Sequence, residues 1–216
     1  MLVEEIMTRQ VITLTPEDRV LYALQLAKAN RIRHFPVVEG KKVVGVVSER
    51  DLRSAIPALG LQLDLRQLEQ TPVRALMHTE VITVHPLDPI EEAARLMYQH
   101  KIGCLPVVSG GELVGIITET DVLRSLVELL GGLHSGSRLE VEVPDRPGVL
   151  AEIGEITKRH GINITSLFLA PSRRQPGHQV LVLRLDVMDL HSVARDIEAA
   201  GYQIVWPAPK PGESFS

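Results

Sequence analysis

The sequence predicts a mixed α/β (α+β) chain: two copies of a βαββα unit packed as a pseudo-twofold pair, then a βαββαβ unit. Three observations carry this. The chain matches itself at an offset of 70 residues, without a gap. Each copy reads as strand, helix, hairpin, helix. Past residue 137 the repeat stops and a new strand alternation begins.

The repeat comes first because internal periodicity decides the architecture. Residues 2–55 against 72–125 give 18 identities in 54 positions. Met7 falls on Met77, Val11-Ile12-Thr13 on Val81-Ile82-Thr83, and Pro36-Val37-Val38 on Pro106-Val107-Val108. Gly40, Gly45 and Asp51 fall on Gly110, Gly115 and Asp121. In the first copy Val11–Leu14 is a short strand, and Pro16 opens a helix with Val20, Ala23, Leu24 and Ala27 at helical spacing. Pro36–Val38, a turn at Gly40 and Val43–Val47 form a hairpin. A second helix starts at Ser48. The second copy repeats this, with a helix at Ile90–Met97 and a last helix from Thr118. Units this short bury a sheet poorly alone, so the copies are expected to pack face to face, leaving two equivalent clefts.

After Gly131-Gly132, Leu139–Val143 alternates as a half-buried strand. Val149, Leu150, Ile153 and Ile156 mark a helix that stops at Gly161. Ile162–Leu169 and Val180–Val187 are strands, Leu190–Ala200 a helix, and Tyr202–Trp206 a last strand. That order is the ferredoxin-like layout. The expected boundaries are 1–60, 72–130 and 137–207, with 208–216 a flexible tail.

Composition limits function. Charged residues are 23%, the net charge is -4, and no basic stripe points to nucleic acid. No stretch approaches 18 apolar residues, so no membrane span is expected. A single cysteine, Cys104, excludes an intramolecular disulfide framework and suits a reducing cytoplasm. The eight histidines are scattered, and none pairs with another or with Cys104 at metal-ligand spacing, so no metal site is expected. No Walker A sequence, G-x-S-x-G elbow or H-E-x-x-H motif is present. The chain reads as a non-enzyme.

The chemistry sits at Ser48-x-x-Asp51 and Thr118-x-x-Asp121. One reading is a helix-capping box, hydroxyl and acid satisfying the first turn. The other is a sugar-phosphate cradle. The hydroxyl can donate to a phosphate, and the ionised acid can only accept, which suits ribose hydroxyls.

The pattern Met-Thr…Val-Ile-Thr…Pro…Ile-x-x-x-Pro-Val-Val…Val-Gly-Val-Val-Ser-x-x-Asp resembles the cystathionine-β-synthase (CBS) domain, and two in tandem resemble a Bateman module. The resemblance implies that Ser48, Asp51, Thr118 and Asp121 hold the phosphate and ribose of AMP, ADP, ATP or S-adenosylmethionine. It implies ligand contacts at Thr13 and Thr83, and adenine beside His34-Phe35-Pro36 and Cys104-Leu105-Pro106. Arg33 and His34 could supply positive charge; their counterparts Gly103 and Cys104 carry none, so the clefts are expected to differ in charge preference. Asp145-Arg146-Pro147-Gly148-x-Leu150 with Gly161-Ile162-Asn163-Ile164 resembles the ACT domain. That implies amino-acid binding near Gly148 and Asn163 at a dimer interface. The family often has Asn where this chain has Asp145; an acid there can hold an ammonium but repels a carboxylate. The alternative is a ligand-free dimerisation unit with Asp145 capping the helix. The three domains together resemble the acetoin-utilisation B family.

The expected function is a cytoplasmic regulatory sensor, homodimeric or larger, acting on a partner enzyme. No cofactor is required; magnesium would enter only with ATP. The alternatives are an interaction protein with empty clefts and an enzyme that consumes nucleotide.

Overall fold

The computed structural model describes residues 1–54, 65–132 and 135–207. The expected tail and residues 55–60 of the first repeat lie outside them. Two units result, Met1–Arg124 and Ser125–Ser216.

In the first unit each copy carries a long helix, α2 (Val20–Asn30) or α5 (Ile90–His100), and a hairpin, β1 (His34–Glu39) with β2 (Lys42–Ser48) or β3 (Cys104–Ser109) with β4 (Glu112–Thr118). Helices α3 (Glu49–Ser54) and α6 (Glu119–Leu129) follow the hairpins. Short helices α1 (Val3–Ile6) and α4 (Leu65–Gln70) and a 3-10 turn at Val73–Ala75 precede the repeats. Helix α2 buries Val20, Ala23 and Ala27, and α5 buries Ile90, Ala93 and Met97, one apolar stripe each at positions i, i+3 and i+7. Both helices start later than the prolines. Asp18 Oδ2 accepts the Thr15 N–H at 2.6 Å, and Asp88 Oδ2 accepts the His85 N–H at 2.7 Å, so each Pro-containing stretch is a closed turn.

The expected first strands are shortened to single parallel bridges, Leu14 to Val37 and Val84 to Val107. The Leu14 N–H donates to the Pro36 carbonyl at 3.0 Å, and the Val38 N–H donates to the Leu14 carbonyl at 2.8 Å. Extending that ladder one way needs an N–H on Pro36, and the other way an N–H on Pro16. Neither exists, and Pro106 and Pro86 stop the second copy in the same way.

The two copies exchange their leading segments. The Thr8 N–H donates to the Ile116 carbonyl at 2.9 Å, and the Ile116 N–H returns to Thr8 at 3.0 Å. Val46 and His78 form the same pair at 3.0 and 2.9 Å. Val3 and Met7 therefore pack in the second copy's core with Leu105, Val107 and Ile117. Val73, Leu76 and Met77 pack in the first copy's core with Phe35, Val37 and Val47. Each fully buried side chain of this size contributes roughly 1.5–3 kcal/mol. Gly45 and Gly115 make the approach possible, since a Cβ on Gly115 would stand 2.5 Å from Met7 Sδ and 3.2 Å from the Thr8 carbonyl.

In the second unit, strands β5 (Ser137–Pro144), β6 (Ile164–Pro171), β7 (His178–Leu185) and β8 (Gln203–Trp206) form an antiparallel sheet in the order β6-β7-β5-β8. Helices α7 (Val149–Arg159) and α8 (His191–Ala199) supply Ile153, Ile156, Val193 and Ile197 to a core with Leu139, Val141, Leu181, Leu183 and Leu185. This is the expected βαββαβ order.

Gly115→Val should destabilise the protein by about 1–3 kcal/mol, because the added methyls meet Met7 and a fixed carbonyl. Urea denaturation reads this as a lower midpoint. Adding Met7→Ala should restore part of the loss; an unchanged midpoint in the single variant would contradict the packing.

Candidate functional site

Ser48 and Thr118 end their strands and open α3 and α6. The Ser48 hydroxyl and N–H both donate to Asp51 Oδ2, at 2.6 and 2.8 Å, and the Asp51 N–H donates back to Ser48 Oγ at 3.2 Å. The Thr118–Asp121 pair repeats this at 2.7, 2.9 and 3.4 Å. Both are capping boxes, each contributing on the order of 1 kcal/mol. At Asp51 the box consumes Oδ2 alone. Asp51 Oδ1 points elsewhere, 3.5 Å from His78 Nε2 on the other copy's leading segment. Burial raises the Asp51 acid's pKa, but the two bonds from Ser48, with His78 beside it, outweigh that and hold it below the usual range.

A cleft of about 1180 Å³ opens on this group. Its wall takes Arg33, His34, Ser48, Arg50 and Asp51 from the first copy. From the second copy it takes His78–Ile82, Lys101–Cys104, Pro106 and Glu119. The polar cradle of one copy thus faces the apolar slot of the other. Within that wall Val81, Ile82, Ile102 and Pro106 form an apolar stretch suited to a heteroaromatic ring.

Of the residues picked out from sequence, the cleft brings together Arg33, His34, Ser48, Asp51 and Pro106. Thr118 and Asp121 form the corresponding cradle of the second copy. Thr13, Thr83 and Pro36 lie outside this lining. Pro36 is buried in the hairpin opposite Val46, and Thr83 is exposed, one residue past the lining stretch. Sequence reading missed Thr79–Ile82, Lys101 and Arg50. The signal for Thr79–Ile82 was the repeated leader that begins Met7-Thr8 and Met77-His78, while Lys101 and Arg50 lie outside it.

His34 is held with its ring against Gly103; a Cβ there would stand 2.9 Å from Nε2. Burial first, then Arg33, lowers its pKa, against the pull of Glu119 and Asp51. Burial, with Glu119 nearby, pushes the Cys104 thiol up to about 12, so it is a packing group and not a nucleophile.

In the second unit Gly148 is the N-cap of α7, with φ 96°. No side chain caps that helix, so Asp145 does not: it stands three residues too early, and its N–H is bound to the Gly177 carbonyl at 3.0 Å. Beside Gly148, Arg146 grips Glu152 through two bonds of 2.7 and 3.0 Å, and Tyr202 donates to the same carboxylate. Asp145, Gly148 and Asn163 are all exposed, and the Asn163 carbonyl accepts the Asp186 N–H at 2.9 Å.

The CBS-domain model matches residues 3–58 and 73–128, and the ACT-domain model matches 137–201. This chain is a tandem CBS-domain protein with a C-terminal ACT domain. Among curated relatives, the CBS domain-containing protein YhcV of Bacillus subtilis (strain 168) is 35% identical over 120 residues, 56% of this chain and 81% of that protein. An inosine-5'-monophosphate dehydrogenase of Korarchaeum cryptofilum (strain OPF8) is 38% identical over 120 residues, 55% of this chain and only 23% of that enzyme. Among solved structures, a Vibrio cholerae protein assigned to acetoin utilization (AcuB) is 40% identical with a TM-score of 0.53, covering 63% of this chain and 98% of that one. The CBS pair of MJ0100 in complex with 5-methylthioadenosine and S-adenosyl-L-methionine is 27% identical, TM-score 0.51, covering 62% and 98%. CBSX2 in complex with AMP is 27% identical, TM-score 0.53, covering 59% and 97%. Among the described residues no helix is long and apolar enough to cross a membrane, and no group of three His, Cys, Asp or Glu could hold a metal.

Hydrogen bonds from Arg146, then Tyr202, pull the Glu152 pKa from 4.5 to about 2. A depressed carboxyl stabilises the fold above its unfolded value and loses that contribution as pH falls through the folded one. Trp206 fluorescence should therefore show stability falling between about pH 4.5 and 2. Glu152→Gln should be less stable at neutral pH and flatter over that window; an identical acid profile in both would contradict the ion pair's role.

Proposed function

We propose that this protein is a cytoplasmic regulatory protein, not an enzyme, that reads an adenosine compound in its CBS pair. One observation carries the reading: the Ser48–Asp51 cradle of one copy faces the apolar slot of the other across a single cleft. Ribose hydroxyls donate to Asp51 Oδ1, the oxygen the capping box leaves over. The phosphate lies by Ser48, Arg33 and His34, and the adenine lies against Ile82, Ile102 and Pro106. His78 swings from Asp51 as the ribose arrives. The corresponding group of the second copy, Thr118 with Asp121, offers a second site. CBS pairs solved with AMP, or with methylthioadenosine and S-adenosylmethionine, support this choice of ligand class.

In this reading the ACT domain dimerises or holds an amino acid, and nucleotide binding alters the grip on a partner enzyme. Such coupling amounts to about 1–3 kcal/mol and acts only if the ligand prefers one state. Similarity to AcuB makes acetoin metabolism the first pathway to examine. The closed capping boxes favour a second reading, an interaction protein whose clefts stay empty.

The test is a melt of nucleotide-stripped protein with AMP, ATP, methylthioadenosine or S-adenosylmethionine. A binder at a hundred times its Kd adds about 2.7 kcal/mol and raises the melting temperature. Asp51→Asn with Asp121→Asn should abolish the rise while keeping the caps. No rise with any of the four compounds overturns the sensor and favours the empty-cleft protein.

A further inference from the structure

We propose that His78 competes with the ligand for Asp51, so that the cleft takes an adenosine compound and a proton on the His78 ring at each other's expense. This rests on the adenosine reading above and adds a proton to it.

The contest is over one atom. Asp51 Oδ2 is occupied by the Ser48 hydroxyl and N–H, at 2.6 and 2.8 Å. Ribose hydroxyls donate, so they need Oδ1. His78 Nε2 stands 3.5 Å from that oxygen. The backbone sets the ring there: the His78 N–H donates to the Val46 carbonyl at 2.9 Å, and the Val46 N–H donates to the His78 carbonyl at 3.0 Å. The His78 side chain is 74% exposed and can turn into solvent without disturbing that pair. Leaving Asp51 therefore costs the contact with Oδ1 alone, and a protonated ring gives up more than a neutral one.

Histidine is the side-chain type that changes charge between about pH 5 and 8. Burial opposes the Asp51 charge, but the bonds from Ser48, with His78 beside them, outweigh it and keep the acid ionised over that range. The other charged groups on the cleft wall are Glu80 on the same leader, Arg33 and His34 where β1 begins, Glu49, Arg50 and Arg53 on α3, and Lys101 and Glu119 from the second copy. Among these His34 is the one rival ring, and burial, then Arg33, move its charge change to lower pH. Towards acid the His78 ring gains charge and grips Asp51, so the ligand binds more weakly. Towards pH 8 the ring is neutral and the ribose displaces it more easily. Linkage is reciprocal, so a ligand arriving on the acid side drives protons off the ring.

Thr8 holds the place of His78 in the other leader and makes the same backbone pair with Ile116. His78→Thr therefore keeps the exchange and removes the titrating ring. The test is calorimetry of methylthioadenosine, which carries no phosphate, at about pH 8 and about pH 5.5 on nucleotide-stripped Asp121→Asn protein. That background silences the second copy's cradle and keeps its cap. Affinity should be about two- to fivefold lower on the acid side, the scale of an exposed ion pair. Proton release should appear as a binding enthalpy that varies with the buffer's ionisation heat. Adding His78→Thr should flatten the pH dependence and abolish the release. Equal affinity at both pH values, or a slope that survives His78→Thr, overturns the competition while the adenosine reading stands. If methylthioadenosine binds wild-type protein but not the Asp121→Asn background, the competition at Asp51 fails alone. If no adenosine compound binds at any pH, both fail together.

Discussion

The exchange of leading segments between the two CBS copies is the constraint on which the structure rests. Two backbone pairs, Thr8 with Ile116 and Val46 with His78, carry it, and two glycines leave room for it. Because Val3 and Met7 complete the second core and Leu76 and Met77 the first, neither copy has a finished interior without the other. The same exchange builds the cleft. It carries His78–Ile82 across to Asp51, so one copy supplies acid and hydroxyl and the other supplies the apolar slot.

Asp51 illustrates how one side chain serves structure and site together. Oδ2 closes the capping box and fixes the rotamer, which leaves Oδ1 aimed at a defined place. A carboxylate held this way loses little freedom on binding, and preorganisation is where a small polar site gains most of its affinity. The Ser48 hydroxyl is less free, because its proton is already given to Asp51 and must turn before it can meet a phosphate. In the absence of ligand the same bonds simply hold the helix start.

Much of this was legible in the sequence. The repeat, the long helices, both hairpins and the whole ACT order follow from apolar spacing and turn residues. Where the reading overreached, the reason is local. Val11–Leu14 looked like a strand by composition, yet Pro16 and Pro36 remove the donors that a ladder needs. Asp145 looked like a cap, yet Pro147 and Gly148 carry the chain on before α7 begins. The crosswise cleft was hidden for a deeper reason. In a duplicated sequence Thr13 stands as near to Ser48 as Thr83 stands to Thr118, and nothing in the residue order says that the leaders trade places.

Photolabelling is the most direct test of that exchange. An 8-azido analogue of AMP should mark the second copy's slot, in the peptides that carry Val81–Ile82 and Ile102–Pro106. Asp51→Asn, in the first copy, should abolish that label. Labelling confined to 11–13 and 33–36, lost in Asp51→Asn, would mean that each copy binds with its own slot, and the crosswise cleft would be contradicted.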